Sequence, residues 1–163
     1  SDTNKVQSLI SNTESHFHKE AFRLKHPMSP HAAAERDGIN IQLADIQTPE
    51  TSNHLIIEGA GGLMVPLNNN DCIIDMIPPL DCEVVLVSRN YLGSINHTLL
   101  SIKALQQRNI PIKGIIFNGQ ENKDTESVIL KMTGVSLLGR VDEETIFNKA
   151  TIIKYAQQFK AVL

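Results

Sequence analysis

Three short runs of β-branched and aliphatic residues, each followed by small or polar residues, set the strongest limit on how this chain folds. They open residues 54–67 (HLIIEGAGGLMVPL), 82–88 (CEVVLVS) and 112–117 (IKGIIF). Near-continuous apolar runs of this length predict strands of a parallel sheet covered on both faces. Helical patterns fall between and after them. Ser94 or Asn96 is placed to cap a helix over 94–108, with Ile95, Leu99, Ile102 and Leu105 on one face, and Asn109 and Pro111 stop it. Further helices are predicted over 2–10, 29–38, 124–132 (ending before Gly134) and 145–159, the last bringing Ile152, Ala156 and Phe159 together. Strands alternating with helices imply βαβ units and an α/β fold. Ligands in such sheets lie beyond the carboxyl ends of the strands, so functional residues are expected just after Ile57, Val87 and Phe117.

No repeat, low-complexity tract or Pro/Gly-rich linker divides the 163 residues, which predicts one α/β domain over 1–163. Hydrophobic content of 41% and charged content of 20% are those of an ordinary globular protein. A formal net charge of −3 gives no electrostatic reason for nucleic-acid or membrane-surface binding, which leaves small molecules or proteins as partners. No apolar run approaches the ~20 residues of a membrane span. Cys72 and Cys82 are the only cysteines and read as reduced, partly buried thiols, consistent with a cytoplasmic protein.

After Ile57 comes Glu58-Gly59-Ala60-Gly61-Gly62. A carboxylate at a strand end can bind a hard cation, and glycines let a phosphate or substrate approach the backbone. The same residues also make an ordinary tight turn with Glu58 in solvent. After Val87, the run to Gly93-Ser94-Ile95-Asn96-His97 opens a helix whose free N–H groups and positive dipole end suit an anion. From that spacing alone an ordinary cap with nothing bound is the favoured reading, and His97 has no acid partner nearby in sequence. After Phe117, Asn118-Gly119 offers the donor and acceptor an adenine edge requires, although Asn-Gly is also a common turn.

Several chemistries are absent from the pattern. Residues 114–119 have the GxxxxG spacing of a phosphate-binding loop, but Gln120-Glu121 follows in place of Lys-Ser/Thr, and no other stretch matches GxxxxGK[ST]. His16, His18, His26, His31 and His54 lack paired metal spacing. There is no GxSxG elbow, no CxxC and no GxGxxG after a strand.

The combination of EGAGGLMVPL at 58–67, LVSRNYLGSINHTLLSI at 86–102 and GIIFNG at 114–119 resembles the dethiobiotin synthetase family, as do SDTNKVQSLI at 1–10 and HPMSPHAAA at 26–34. The resemblance runs from residue 1 to about residue 139. It implies a P-loop NTPase-like α/β fold, a mostly parallel sheet flanked by helices, acting as a homodimer. It also implies closure of the ureido ring of dethiobiotin from 7,8-diaminononanoate, CO₂ and ATP with Mg²⁺. One amine is carboxylated to a carbamate, the γ-phosphoryl group activates it as a mixed anhydride, and the second amine displaces phosphate. Catalysis of this kind rests on positioning and charge neutralisation.

Residue by residue, the resemblance matches Asp2 and Glu58 to acidic Mg²⁺ ligands. It matches Glu58, Gly59, Ala60 and Gly61 to the segment beside the nucleotide phosphates, and Gly61 and Gly62 to the substrate. Ser94 and Asn96 match the helix start that holds the substrate carboxylate, by family analogy across the dimer interface. Asn118 and Gly119 match the adenine-recognition turn, and Asp142, Glu143 and Glu144 complete the nucleotide side. The family's first strand, phosphate loop, helix and second strand with its catalytic lysine have no counterpart in these residues. No catalytic residue is therefore carried over, and the 163 residues by themselves are expected to form no dethiobiotin. Gly139-Arg140-Val141-Asp142 stands where relatives often carry Gly-x-Ile-Pro, and the tyrosine that some members reach across the dimer has no clear match in 126–131. Two other readings fit the residues: a binding or structural module on the same fold, and a different P-loop synthetase or partitioning ATPase, against which EGAGG with GSINH argues.

Overall fold

The computed structural model describes residues 2–163, the side chain of Asp2 excepted. The chain divides into two compact units, one formed by residues 1–17 and 83–163 and the other by 18–82.

The first unit is built on a three-stranded parallel sheet of β1 (Val84–Arg89), β2 (Ile112–Asn118) and β3 (Leu137–Val141), in that spatial order. Helix α1 (Asp2–Leu9) belongs to it by chain position, as the 2–10 pattern predicts. The elements α2 (Pro30–Asp37) and α3 (Ile77–Leu80) belong to the second unit. The crossovers are α4 (Ser94–Gln107) and α5 (Lys123–Thr133), which pack against each other, and α6 (Lys149–Phe159) packs on β3. Ile102, Ile115, Phe117 and Ile129 form the core where α4 and α5 meet β2. The sheet and its flanking helices are the predicted α/β architecture.

Gly114 makes the β2–β3 contact possible. A Cβ there would lie 2.5 Å from Leu138 Cγ and 2.7 Å from the Ser136 carbonyl oxygen, closer than any side chain sits. The Ile115 N–H donates to that same Ser136 carbonyl at 2.9 Å, so the approach is set by the sheet's own ladder. Gly139, with φ 154°, sits where a Cβ would meet Phe159 at 2.6 Å, which lets α6 close over β3.

Four local expectations are corrected. The run at 54–57 forms no strand, and Ile56 is 92% exposed. A strand requires a neighbour for its backbone N–H and C=O groups, and no described strand pairs with this run. Strand β3 was not anticipated: it has five residues, is interrupted by Gly139, and lacks a continuous β-branched run. The last helix starts at Lys149 rather than Thr145, because the Asn148 side chain caps it by accepting from the Ala150 and Thr151 N–H groups. On α4, Ile102 and Leu105 are buried as predicted. Ile95 is exposed, and the buried stripe runs instead through Ser94 and Thr98, because Thr98 shares a 2.7 Å hydroxyl hydrogen bond with Ser88 of β1.

In the second unit, α2 matches the 29–38 prediction: Pro30 opens it and Gly38 closes it in the left-handed conformation. Ala34, Ile41, Leu67 and Ile73 form its core. Cys72 and Cys82 are free and half-buried. Among the described residues no helix is long and apolar enough to cross a membrane.

Candidate functional site

The carboxyl ends of the three strands are tied to one another by backbone. The Asn90 N–H donates to the Asn118 carbonyl at 3.3 Å, and the Gly119 N–H donates to the Val141 carbonyl at 2.8 Å. This edge carries Ser94, Asn96, Asn118, Gly119, Asp142, Glu143 and Glu144, all predicted from sequence. An open cleft of about 860 Å³ lies along it, with Asn90, Gly93, Asn96, Gln120 and Asn122 in its wall.

Neither Ser94 nor Asn96 caps α4. The cap position is Gly93, whose φ of 101° only glycine adopts without strain, and Ser94 is the first helical residue. Ser94 is 2% exposed, and its N–H is already given to the Tyr91 carbonyl at 3.0 Å. Asn96 is exposed in the first turn of α4 and forms part of the cleft wall. His97, without a partner nearby in sequence, acquires one in space: its Nδ1 lies 2.6 Å from the Tyr91 hydroxyl.

At the second strand end, Gly119 turns the chain with φ 92°. The Asn118 amide donates to the Val141 carbonyl over 3.4 Å, a long bond that a better acceptor would readily replace. Past β3, Glu144 is committed internally. Its Oε1 accepts from Lys154 Nζ and from the Tyr155 hydroxyl, each at 2.7 Å, and the same hydroxyl accepts from the Asp142 N–H at 2.9 Å. The Lys154 and Tyr155 bonds hold the Glu144 carboxyl below the usual carboxylate range, and the Glu144 carboxylate raises the Lys154 ammonium in turn. Tyr155 is buried and acts as the post of the 142–144 loop. Its only signal in sequence is helical spacing, with Phe159 one turn on. Glu143 pairs loosely with Arg89 across 3.7 Å, both exposed.

Behind this edge lies a cluster that sequence reasoning missed. Buried Glu126 accepts from the Asn90 amide at 2.6 Å, from the Asn122 N–H at 3.0 Å and from Arg140 Nη2. Burial alone would raise its carboxyl, but the guanidinium, the Asn122 N–H and the Asn90 amide outweigh it and leave it below its ordinary value. A carboxyl so lowered stabilises the fold at pH above its unfolded value of 4.5, and that contribution is lost as pH falls through the folded value. Thermal unfolding of Glu126→Gln measured from pH 7 to pH 3 is therefore expected to show a shallower acid loss than the parent. An identical acid profile would contradict the assignment.

Glu58, Gly59, Ala60, Gly61 and Gly62 lie in the second unit. Glu58 is exposed and makes no hydrogen bond or ion pair with the described residues. The turn after it is shaped by its own chain. Residues 63–76 fold back through Val65 N–H to Gly62 carbonyl, Ile73 N–H to Val65 carbonyl and Ile74 N–H to Leu63 carbonyl bonds of 2.9–3.0 Å. This brings Ile73 to 2.8 Å from the place a Gly59 Cβ would occupy, and Val65 to 3.0 Å from that of Gly61, whose φ is 84°. Gly59 and Gly61 are therefore required by a close approach, whereas the space around Gly62 is open. Asp2 opens α1 in the first unit, and its side chain lies outside the described residues. No group of three or more His, Cys, Asp or Glu able to hold a metal occurs among the described residues. Mg²⁺ fits Glu58 nonetheless, because this ion commonly takes one or two carboxylates and completes its shell with substrate phosphates and water.

A family model described as an AAA domain matches residues 1–151. The chain is 54% identical over 160 residues to an ATP-dependent dethiobiotin synthetase of Christiangramia forsetii, covering 98% of this chain and 77% of that protein. It is 50% identical over 156 residues to the protein of the same name from Cytophaga hutchinsonii, covering 95% and 76%. With that of Rhodopseudomonas palustris it shares 44% over 151 residues, covering 93% and 72%.

Proposed function

The chain belongs to the ATP-dependent dethiobiotin synthetase family, and from that premise we propose that it serves ATP- and Mg²⁺-dependent ring closure of 7,8-diaminononanoate with CO₂ to dethiobiotin, a step of biotin biosynthesis. The observation that carries the reading is identity of 54% spread over 98% of the chain.

The chain's own groups have distinct tasks in this reading. The Gly93 turn and the first turn of α4 present Asn96 and the positive helix end to the substrate carboxylate. Asn118 gives up its long bond to Val141 and turns its amide to the adenine edge, with Gly119 allowing the close approach. Asp142 and Glu143 flank the same turn. Glu144 acts indirectly, by holding the loop through Tyr155 and Lys154. The segment of Gly59, Ala60, Gly61 and Gly62 lies beside the phosphates and the diamine, with backbone access at Gly62, around which the space is open. Glu58 would hold Mg²⁺, which would neutralise charge on the nucleotide phosphates when bound; the like role the resemblance gives Asp2 falls on a side chain outside the described residues. Positioning of the reacting groups supplies much of the acceleration in phosphoryl transfer, and these groups contribute to it by binding and orienting. We assign the active form to a cytoplasmic homodimer.

The test is direct. The full-length gene product, given 7,8-diaminononanoate, bicarbonate and Mg·ATP, is expected to form dethiobiotin detectable by mass spectrometry, with ADP released in equal amount. ATP hydrolysis without dethiobiotin would overturn the reading.

A further inference from the structure

Glu126 makes three side-chain hydrogen bonds in the first unit, and no role given above uses it. It sits in the first turn of α5, 7% exposed. One of its oxygens, Oε1, takes the Asn90 amide and the Asn122 N–H, and the other, Oε2, takes Arg140. The Asn90 amide also reaches the Gln120 carbonyl at 3.0 Å. A single carboxylate thus gathers the segment after β1, the segment after β2 and strand β3 itself. Asn90 stands three residues before the Gly93 helix start, and Gln120 directly follows the Asn118–Gly119 turn.

A helix cap alone does not account for this arrangement. Asn122 already caps α5 by accepting from the Thr125 N–H at 3.0 Å. The cluster is also not optimised for stability, since Asn90 Oδ1 and Arg140 Nη1 are buried without a partner among the described residues. Incompletely satisfied polar clusters cost more than apolar packing of the same volume, so their retention calls for an explanation other than stability. What the cluster does accomplish is geometric: its carboxylate adds a further tie between two segments otherwise joined by the 3.3 Å Asn90–Asn118 backbone bond and the 3.0 Å Asn90–Gln120 bond.

We infer that Glu126 is a positioning residue that locks the segment leading into the Gly93 helix start to the Asn118–Gly119 turn, so that the diamine and nucleotide subsites keep one register. The inference rests on the proposed function, which makes those two segments subsites. A residue inside one subsite changes the affinity for one ligand. A residue that fixes the register between them changes both.

The test measures both KM values and kcat for Glu126→Gln in the full-length gene product. The variant keeps the size of the side chain and the Oε1 acceptor while removing the charge that holds Arg140. KM for ATP and KM for 7,8-diaminononanoate are both expected to rise about 5- to 10-fold, with kcat at saturation within about 3-fold. Asn90→Ala leaves the α5 cap intact and serves if Glu126→Gln does not fold; it is expected to raise both KM values in the same direction. Arg140→Gln added to Glu126→Gln is expected to add little, because the bond it removes is already weakened. A fall in melting temperature with both KM values unchanged, or movement of one KM alone, would overturn the inference and leave the proposed function standing. A parent protein that forms no dethiobiotin would remove both.

Discussion

Glu58→Gln is expected to lower the turnover of dethiobiotin formation by about 10²-fold, the scale on which single electrostatic groups act in such sites. The expectation follows from what Glu58 lacks. Its carboxylate is exposed and uncommitted among the described residues, and it stands on a backbone whose neighbouring glycines are fixed by Ile73 and Val65. A carboxylate that does nothing for the fold is free to serve a ligand. Glutamine preserves its size and removes its charge, so melting temperature should hold, as for most surface substitutions. The apparent Mg²⁺ requirement should rise, and added Mg²⁺ should restore part of the rate. Steady-state turnover titrated with Mg²⁺ checks this. Unchanged turnover and unchanged Mg²⁺ dependence would remove Glu58 from the metal role.

The second large effect is on stability. Gly114→Ala is expected to cost about 2–3 kcal/mol, in the upper part of the range for overpacked cores. The new methyl meets Leu138 at 2.5 Å and the Ser136 carbonyl at 2.7 Å. A side chain can swing aside, but the carbonyl cannot, because it accepts the Ile115 N–H that anchors β3 to β2. The strands must separate, and the turn at Asn118–Gly119 loses its Val141 partner with them. A drop in melting temperature of roughly 5–10 °C follows for a chain of this size. A variant that melts with the parent would show that β3 accommodates the methyl by a shift too small to matter.

These two residues show why some of the molecule was legible in the sequence and some was not. The run 112–118 declares itself because β2 is buried over Gly114–Phe117, and 84–89 has the same aliphatic composition although β1 is only half-buried and Val87 is exposed. The end of α5 was readable from Gly134, since cap chemistry is local, whereas its start lies one residue before the expected 124 because Asn122 caps it. Residues 54–57 have the same apolar composition as β1 but no partner strand, and pairing is a property of the partner as much as of the run. Strand β3 failed in the opposite sense: Gly139 looks like a breaker, yet its φ of 154° and the Phe159 ring against it make it the residue that closes α6 onto the sheet.

Site residues divide along the same line. Glu58, Asn118 and Gly119 stand in short motifs and could be named from resemblance. Glu126, Arg140 and Asn90 come from three separate segments, spaced 36 and 14 residues apart along the chain, so nothing in local sequence announces that they share one carboxylate. Tyr155 is similar, reaching back 11 residues to hold Glu144.

The most direct measurement of the central claim uses the full-length gene product with 7,8-diaminononanoate, Mg·ATP and ¹³C-bicarbonate. Membership in the family predicts dethiobiotin carrying ¹³C in its ureido carbonyl, formed only when ATP is present. Unlabelled dethiobiotin, label incorporation without ATP, or no dethiobiotin at all would contradict the account.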